Sequence, residues 1–127
     1  MEEYTFPSHY PPNCPPSGCG ENPGVYYRLV NCLDSVSRLD FLSDYDVGRR
    51  VKLEAISPCV RRCVSIFSAV DSIASVRSQF PNLPRFIAEL RLNGHHGLIG
   101  SNRSQHHNWW IPEGVEPSSF VVRIFEE

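Results

Sequence analysis

Apolar and polar positions alternate most cleanly between residues 86 and 92, where Phe86, Ala88, Leu90 and Leu92 are interleaved with Ile87, Glu89 and Arg91. Successive side chains of a strand point to opposite faces, so this period of two predicts a strand. Asn93-Gly94 follows, a pair suited to the positive φ angles of a tight turn, and a short strand around 97–100 is expected to return from it. Val25-Tyr26-Tyr27-Arg28-Leu29-Val30 is rich in β-formers and bounded by Pro23-Gly24, which predicts a first strand. Residues 51–56 alternate as a further short strand before Ser57-Pro58. Val64-Ser65-Ile66-Phe67 reads as another, and Phe120 to Phe125, apolar on both faces, as a largely buried central strand.

The period changes after Phe67. Val70, Ile73, Ala74 and Val76 form one stripe at helical spacing, with Phe80 a turn further on and Pro81 as the stop. Ser68 and Asp71 are spaced like a capping box for that helix. A shorter helix is expected from a cap at Asp34 through about Phe41, since Val36, Leu39 and Phe41 recur near the same spacing. Residues 43–48 read as a polar loop, and so do 101–117, interrupted by Trp109-Trp110-Ile111. The expectation is an α+β domain over residues 24–127, with a small, mostly antiparallel sheet of about five strands and one or two helices. No internal repeat is present.

Residues 1–23 depart from this pattern. They hold six of the 11 prolines and no Lys or Arg. Proline removes backbone donors and biases its predecessor towards extended conformations, which predicts a Pro-rich flexible or extended arm. Removing the three acids of that arm leaves 12 basic and 11 acidic residues in the rest of the chain.

Composition narrows the functional classes. A chain of 127 residues fits one domain, and 41% hydrophobic content is enough for a core. No apolar run is long enough to span a membrane as a helix. A net charge of −2 argues against nucleic-acid binding as the main task. Five cysteines, an odd number, fit a disulfide framework poorly, and the start Met1-Glu2-Glu3-Tyr4 has neither the basic nor the apolar region of a secretory signal. Both point to a cytoplasmic protein with reduced thiols. Eleven arginines against the single Lys52 fit a GC-rich bacterial coding sequence; the pairs Arg49-Arg50 and Arg61-Arg62 also suit a small anionic ligand.

Four groups of residues carry candidate chemistry. Cys59 and Cys63, with three residues between them, could share a zinc ion with imidazoles from His95-His96 or His106-His107, but the two tight ligand pairs of common zinc modules are missing. Cys63, next to Arg61-Arg62, is also the one candidate for an activated thiolate, without any protease signature around it. Asp40, Asp44, Asp46 and Gly48 crowd together, but Asp44-x-Asp46-x-Gly48 breaks the calcium-loop order, and position 52 is Lys. His106-His107-Asn108-Trp109-Trp110 is the fourth group. Tryptophan is enriched at binding hot spots, and it equally lids a small core with its N–H on a carbonyl.

The order of three features resembles the ADP-ribosyltransferase-like superfamily, which includes NAD-degrading toxins. They are Tyr26-Tyr27-Arg28 on the first strand, Cys63-Val64-Ser65-Ile66-Phe67 leading into a helix, and a strand ending near Glu89. The resemblance covers roughly residues 25–125. It implies that Arg28 contacts NAD, Ser65 lines its pocket and Glu89 polarises the ribose. The chain lacks the superfamily's His-Gly-Thr run and its Gln/Glu-x-Glu motif.

The leading expectation is a small binding or accessory protein without a catalytic cycle. Its working surface is the 93–112 region, with His95, His96, His106, His107, Trp109 and Trp110. Its partner is a protein or a small anionic ligand, and the arm docks on that partner or on a second copy in a homo-oligomer. It needs no cofactor. The alternatives are a NAD-consuming enzyme in a toxin–antitoxin or defence setting and a zinc-stabilised interaction module.

Overall fold

A computed structural model describes residues 4–48, 57–103 and 105–126. The strand expected at 51–56 lies outside the described residues. Those described form one six-stranded sheet: β1 (Gly24–Val30), β2 (Val64–Phe67), β3 (Phe86–Leu92), β4 (Leu98–Arg103), β5 (His106–Trp110) and β6 (Val121–Phe125). The strand order is β4-β5-β2-β1-β3-β6, and every neighbouring pair is antiparallel. One α-helix, α1 (Val70–Gln79), and three 3-10 turns, at Arg38–Phe41, Val60–Arg62 and Pro117–Phe120, complete the described elements. The expected α+β class and antiparallel sheet are therefore present.

The backbone of the sheet is the seven-residue ladder between β1 and β3, running from Gly24 opposite Leu92 to Val30 opposite Phe86. Both strands are rich in aromatic and branched residues, which pack well on a pleated surface. The tight turn after β3 does not make the expected hairpin. β4 pairs with β5 at the far edge of the sheet, so β5, β2 and β1 all lie between β3 and β4. Four strand spacings amount to about 19 Å in a flat sheet. The linker of residues 93–97 turns repeatedly, with positive φ at Gly94, His95 and Gly97, and does not run extended. The sheet therefore curls so that the end of β3 approaches the start of β4.

Gly97 marks the tightest point of that approach. At its φ of 111° a Cβ would fall 2.4 Å from the Trp110 carbonyl oxygen and 2.6 Å from Pro112 Cδ. Only glycine combines this conformation with this proximity.

The inner face of the curl holds the main core: Tyr26, Ile66, Leu90, Leu92, Ile99 and Trp109 from five strands, with Phe41 from a 3-10 turn. Val36, Ile111 and Phe120 close over it. Burying each large side chain of this kind contributes roughly 1.5–3 kcal/mol. The outer face is covered by α1, whose buried Ile73 meets Phe67 and Ile87, flanked by Val70, Val76, Tyr27, Leu29 and Phe125.

Several local expectations are corrected. The helix expected from Asp34 is a four-residue 3-10 turn capped by Ser37, whose side chain accepts from Leu39 while Asp40 accepts from the Ser37 amide. α1 has Ala69 at its N-cap, and Ser68 instead donates its amide to the Gln105 carbonyl. Phe80 is 58% exposed rather than part of the helix stripe. Residues 106–110, read as loop, are β5. The last strand is not central: β6 is an edge whose register shifts opposite Glu89 and Leu90, leaving Val122 exposed.

Residues 4–23 contain turns and one isolated bridge, with no helix or longer strand. They are fastened at several points. Gly20 pairs with Ile99, its amide donating to Ile99 O and its carbonyl accepting from Ile99 N, which caps the β4 edge. Glu113 donates its amide to Thr5 O at 2.8 Å. Cys14 is disulfide-bonded to Cys59, 45 positions away. The expectation that all five cysteines stay as thiols is thus wrong for these two.

Candidate functional site

Of the three residues singled out by the superfamily resemblance, Arg28 and Ser65 meet and Glu89 lies apart from them. Arg28 faces the inside of the curl, where its guanidinium donates to Ser65 O at 2.8 Å, Asp40 O at 3.1 Å and Leu42 O at 3.4 Å. Burial pulls its pKa down to about 10, opposed by Asp40 and Asp44 among others, so it remains a cation at neutral pH. Its fork ties β1 to β2 and to the loop after the first 3-10 turn. Tyr27, not Arg28, lies opposite Glu89, so the Glu89 side chain is on the other face of the sheet. There Glu89 accepts from Arg123 Nε at 2.9 Å. Arg28 meets Ser65 only through its backbone, and Glu89 does not join them.

The 93–112 region is mostly interior. Trp109 and Trp110 are 0% and 1% exposed. Their indole N–H groups donate to His96 O at 2.8 Å and Cys59 O at 3.0 Å. His96 is fully buried, accepting from Gly94 N on Nδ1 at 3.1 Å and meeting Glu21 O through Nε2 at 2.6 Å. With Nδ1 accepting, Nε2 is the atom that donates to Glu21 O. Of the six residues expected on a binding surface, Trp109, Trp110 and His96 pack inside, with their polar atoms satisfied internally.

The other histidines stand nearer the surface. His95 is exposed at a positive φ, with its amide donating to Glu21. His106 rests against Phe67, and His107 packs edge-on to Tyr26, with burial lowering its pKa.

The cysteine chemistry also changes. Cys59 is bonded to Cys14 and cannot serve as a thiolate ligand beside Cys63. Cys63 is buried, and burial with the nearby Asp44 carboxylate pushes its pKa up to about 12. Such a thiol stays protonated at neutral pH and is a poor nucleophile. No group of three or more His, Cys, Asp or Glu among the described residues is arranged to hold a metal ion.

A different place in the molecule brings chemistry together. A cavity of about 230 Å³ opens between residues 7–10 and the inner side of the sheet. Its apolar lining is Phe41, Val64, Ile111 and Pro117, with Pro7 across from them. Tyr10 adds a phenol, its hydroxyl donating to Arg62 O at 3.4 Å and kept neutral by burial.

Four charged side chains join this lining: Arg38, Arg62, Asp46 and Glu113. Arg62 is held rigidly. Its Nε donates to His9 O at 2.9 Å and His9 Nδ1 at 3.2 Å, and its Nη1 to Pro58 O at 2.8 Å. Its guanidinium lies 4.1 Å over the Tyr45 ring, on which His9 stacks at 4.2 Å. Asp46 Oδ2 accepts from the amide and hydroxyl of Ser43. Arg38 and the Glu113 carboxylate, by contrast, have no hydrogen bond or ion pair among the described residues.

Most of these residues escape a local reading of the sequence. Positions 9, 38, 62 and 113 belong to no shared motif and meet only through the fold. Arg62 carried a signal as half of an arginine pair, and Asp46 as one of the crowded acids. No protein-family model matches the chain, and no curated protein or solved structure matches it.

Proposed function

We propose that the protein is a binding domain without a catalytic cycle, and that its ligand is a small polar molecule held in the cavity walled by residues 7–10. The observation that carries this reading is the cavity itself, with two side chains of opposite charge on its lining, Arg38 and Glu113, that have no partner among the described residues. Charged groups beside an apolar, partly enclosed surface gain most from a ligand that completes their hydrogen bonds.

Two further features support it. The side chains with the strongest catalytic potential in the sequence are engaged in holding the fold: Arg28 on three carbonyls, Glu89 on Arg123, Cys63 as a buried thiol. The cavity is also smaller than the roughly 300–1,000 Å³ of cofactor and drug-sized sites, which favours a ligand well below a dinucleotide in size. The Cys14–Cys59 bond fastens the cavity's wall, and such bonds persist in oxidising compartments, so the proposed setting is one of these rather than the reducing cytosol.

The test is an NMR titration of the oxidised protein with a panel of small anions, cations, zwitterions and neutral compounds. The expected outcome is saturable shifts at the amides of Arg38, Arg62 and Glu113, abolished when Ile111→Phe fills the cavity. A folded protein in which no compound moves those resonances overturns the proposal.

A further inference from the structure

We infer that the ligand of this cavity is a free α-amino acid with an apolar side chain, its carboxylate on Arg38 and Arg62 and its ammonium on Glu113 and Asp46. The inference rests on the cavity being a binding site and adds the class of ligand.

The charges argue for it. Two guanidinium groups and two carboxylates line one small space. A lone anion would meet Arg38 and Arg62 but also face Asp46 and Glu113. A lone cation would meet the reverse. Each such like-charge approach in one small space is unfavourable. Arg38 and Glu113 do not neutralise one another, since no ion pair joins them. A ligand carrying both charges satisfies both sets at once. α-Amino acids carry an ammonium and a carboxylate on adjacent atoms throughout the neutral range, and the small volume suits one residue rather than a chain of them.

The remaining lining supplies the second half of the specificity. Phe41 and Val64 are buried in the core and fixed by it, and with Ile111 they supply the smaller, apolar part of the lining. A hydrocarbon side chain placed there leaves water, while glycine has nothing to place. Each additional buried methylene strengthens binding about fourfold. Arg62 is already positioned by His9 and Pro58, so a carboxylate meets a guanidinium with little freedom left to lose.

The experiment compares four probes on the full, oxidised chain by calorimetry and NMR: L-leucine, glycine, N-acetyl-L-leucine and L-leucinamide. L-leucine is expected to bind, and the other three at least tenfold more weakly. Arg38→Gln should weaken L-leucine at least tenfold and leave L-leucinamide unchanged. Glu113→Gln should weaken L-leucine similarly and leave N-acetyl-L-leucine unchanged. Arg38 and Glu113 are both exposed, and unchanged melting temperatures confirm that the variants fold. If N-acetyl-L-leucine or L-leucinamide binds as tightly as L-leucine, the zwitterion inference fails while the binding site stands. Equal binding of glycine overturns the apolar side-chain preference. If none of the four moves the cavity resonances but another small compound does, only this inference fails; if no compound does, both fail.

Discussion

Trp109 donates its indole N–H to the main-chain carbonyl of His96, and the ring of His96 in turn joins the Gly94 amide to the Glu21 carbonyl. One buried relay thus ties β5, the linker after β3 and the segment entering β1. Replacing Trp109 by Phe removes the donor and part of the ring volume, with Phe41 and Phe120 left around the gap. The expected loss is about 2–4 kcal/mol of unfolding free energy, from the cavity and the orphaned carbonyl together. Urea unfolding measures it. A variant with wild-type stability would show that the indole is not part of the core.

The same relay explains why the sequence is legible in parts. β1, β2 and β3 are local patterns, and α1 announces itself through Val70, Ile73 and Val76. Trp109 and Trp110 were ambiguous because a tryptophan inside a core and one on a binding surface look alike in sequence. What decides between them is the partner of each N–H, and those partners, His96 and Cys59, lie 13 and 51 positions away. β6 misled for a related reason. Val121 to Phe125 is apolar enough for a central strand, yet its place at the edge follows from the order of the other five strands. The cavity was invisible because its lining comes from segments far apart in the chain. Even the cysteine count misleads: an odd number permits one bridge and three free thiols.

The Cys14–Cys59 bridge closes a loop of 45 positions, and the chain-entropy model assigns such a link about 4 kcal/mol of stability. Reduction by a dithiol is therefore expected to lower the unfolding midpoint markedly. It should also expose residues 4–23 to protease, because Cys59 sits beside the Val60–Arg62 turn that carries their other main anchor, Arg62. Mass spectrometry after alkylation checks the pairing. The unfolded, unreduced chain should take three labels and the reduced chain five. Five labels without reductant would remove the bridge from the argument.

Arg28 is a structural cation, and its geometry separates charge from shape. Arg28→Lys keeps the charge but cannot reach three carbonyls with one ammonium. Arg28→Met keeps the length and abandons all three acceptors. Both are expected to destabilise the fold, Arg28→Met by about 2–4 kcal/mol, since the Ser65, Asp40 and Leu42 carbonyls lose their donors. The readout is chemical denaturation alongside the ligand titration. If Arg28→Lys matches the wild type, the fork geometry is irrelevant.

Alkaline pH should destabilise the protein, and Cys63 gives the sign. Its thiol is pushed up to about 12 in the fold, against an ordinary value of 9.0. Above pH 9 the unfolded chain therefore releases this proton while the native chain keeps it, which favours unfolding. The contribution is complete below pH 9 and is lost progressively towards pH 12. Its slope approaches about 1.4 kcal/mol per pH unit for one group. Cys19 is shifted up by burial too, and Tyr10 and Tyr26 add to the fall at higher pH for the same reason. Unfolding free energies between pH 8 and 10 should decline in the wild type. They should decline less steeply in Cys63→Ala, which has no buried thiol at that position to titrate. Identical slopes in the two proteins would place the alkaline sensitivity elsewhere.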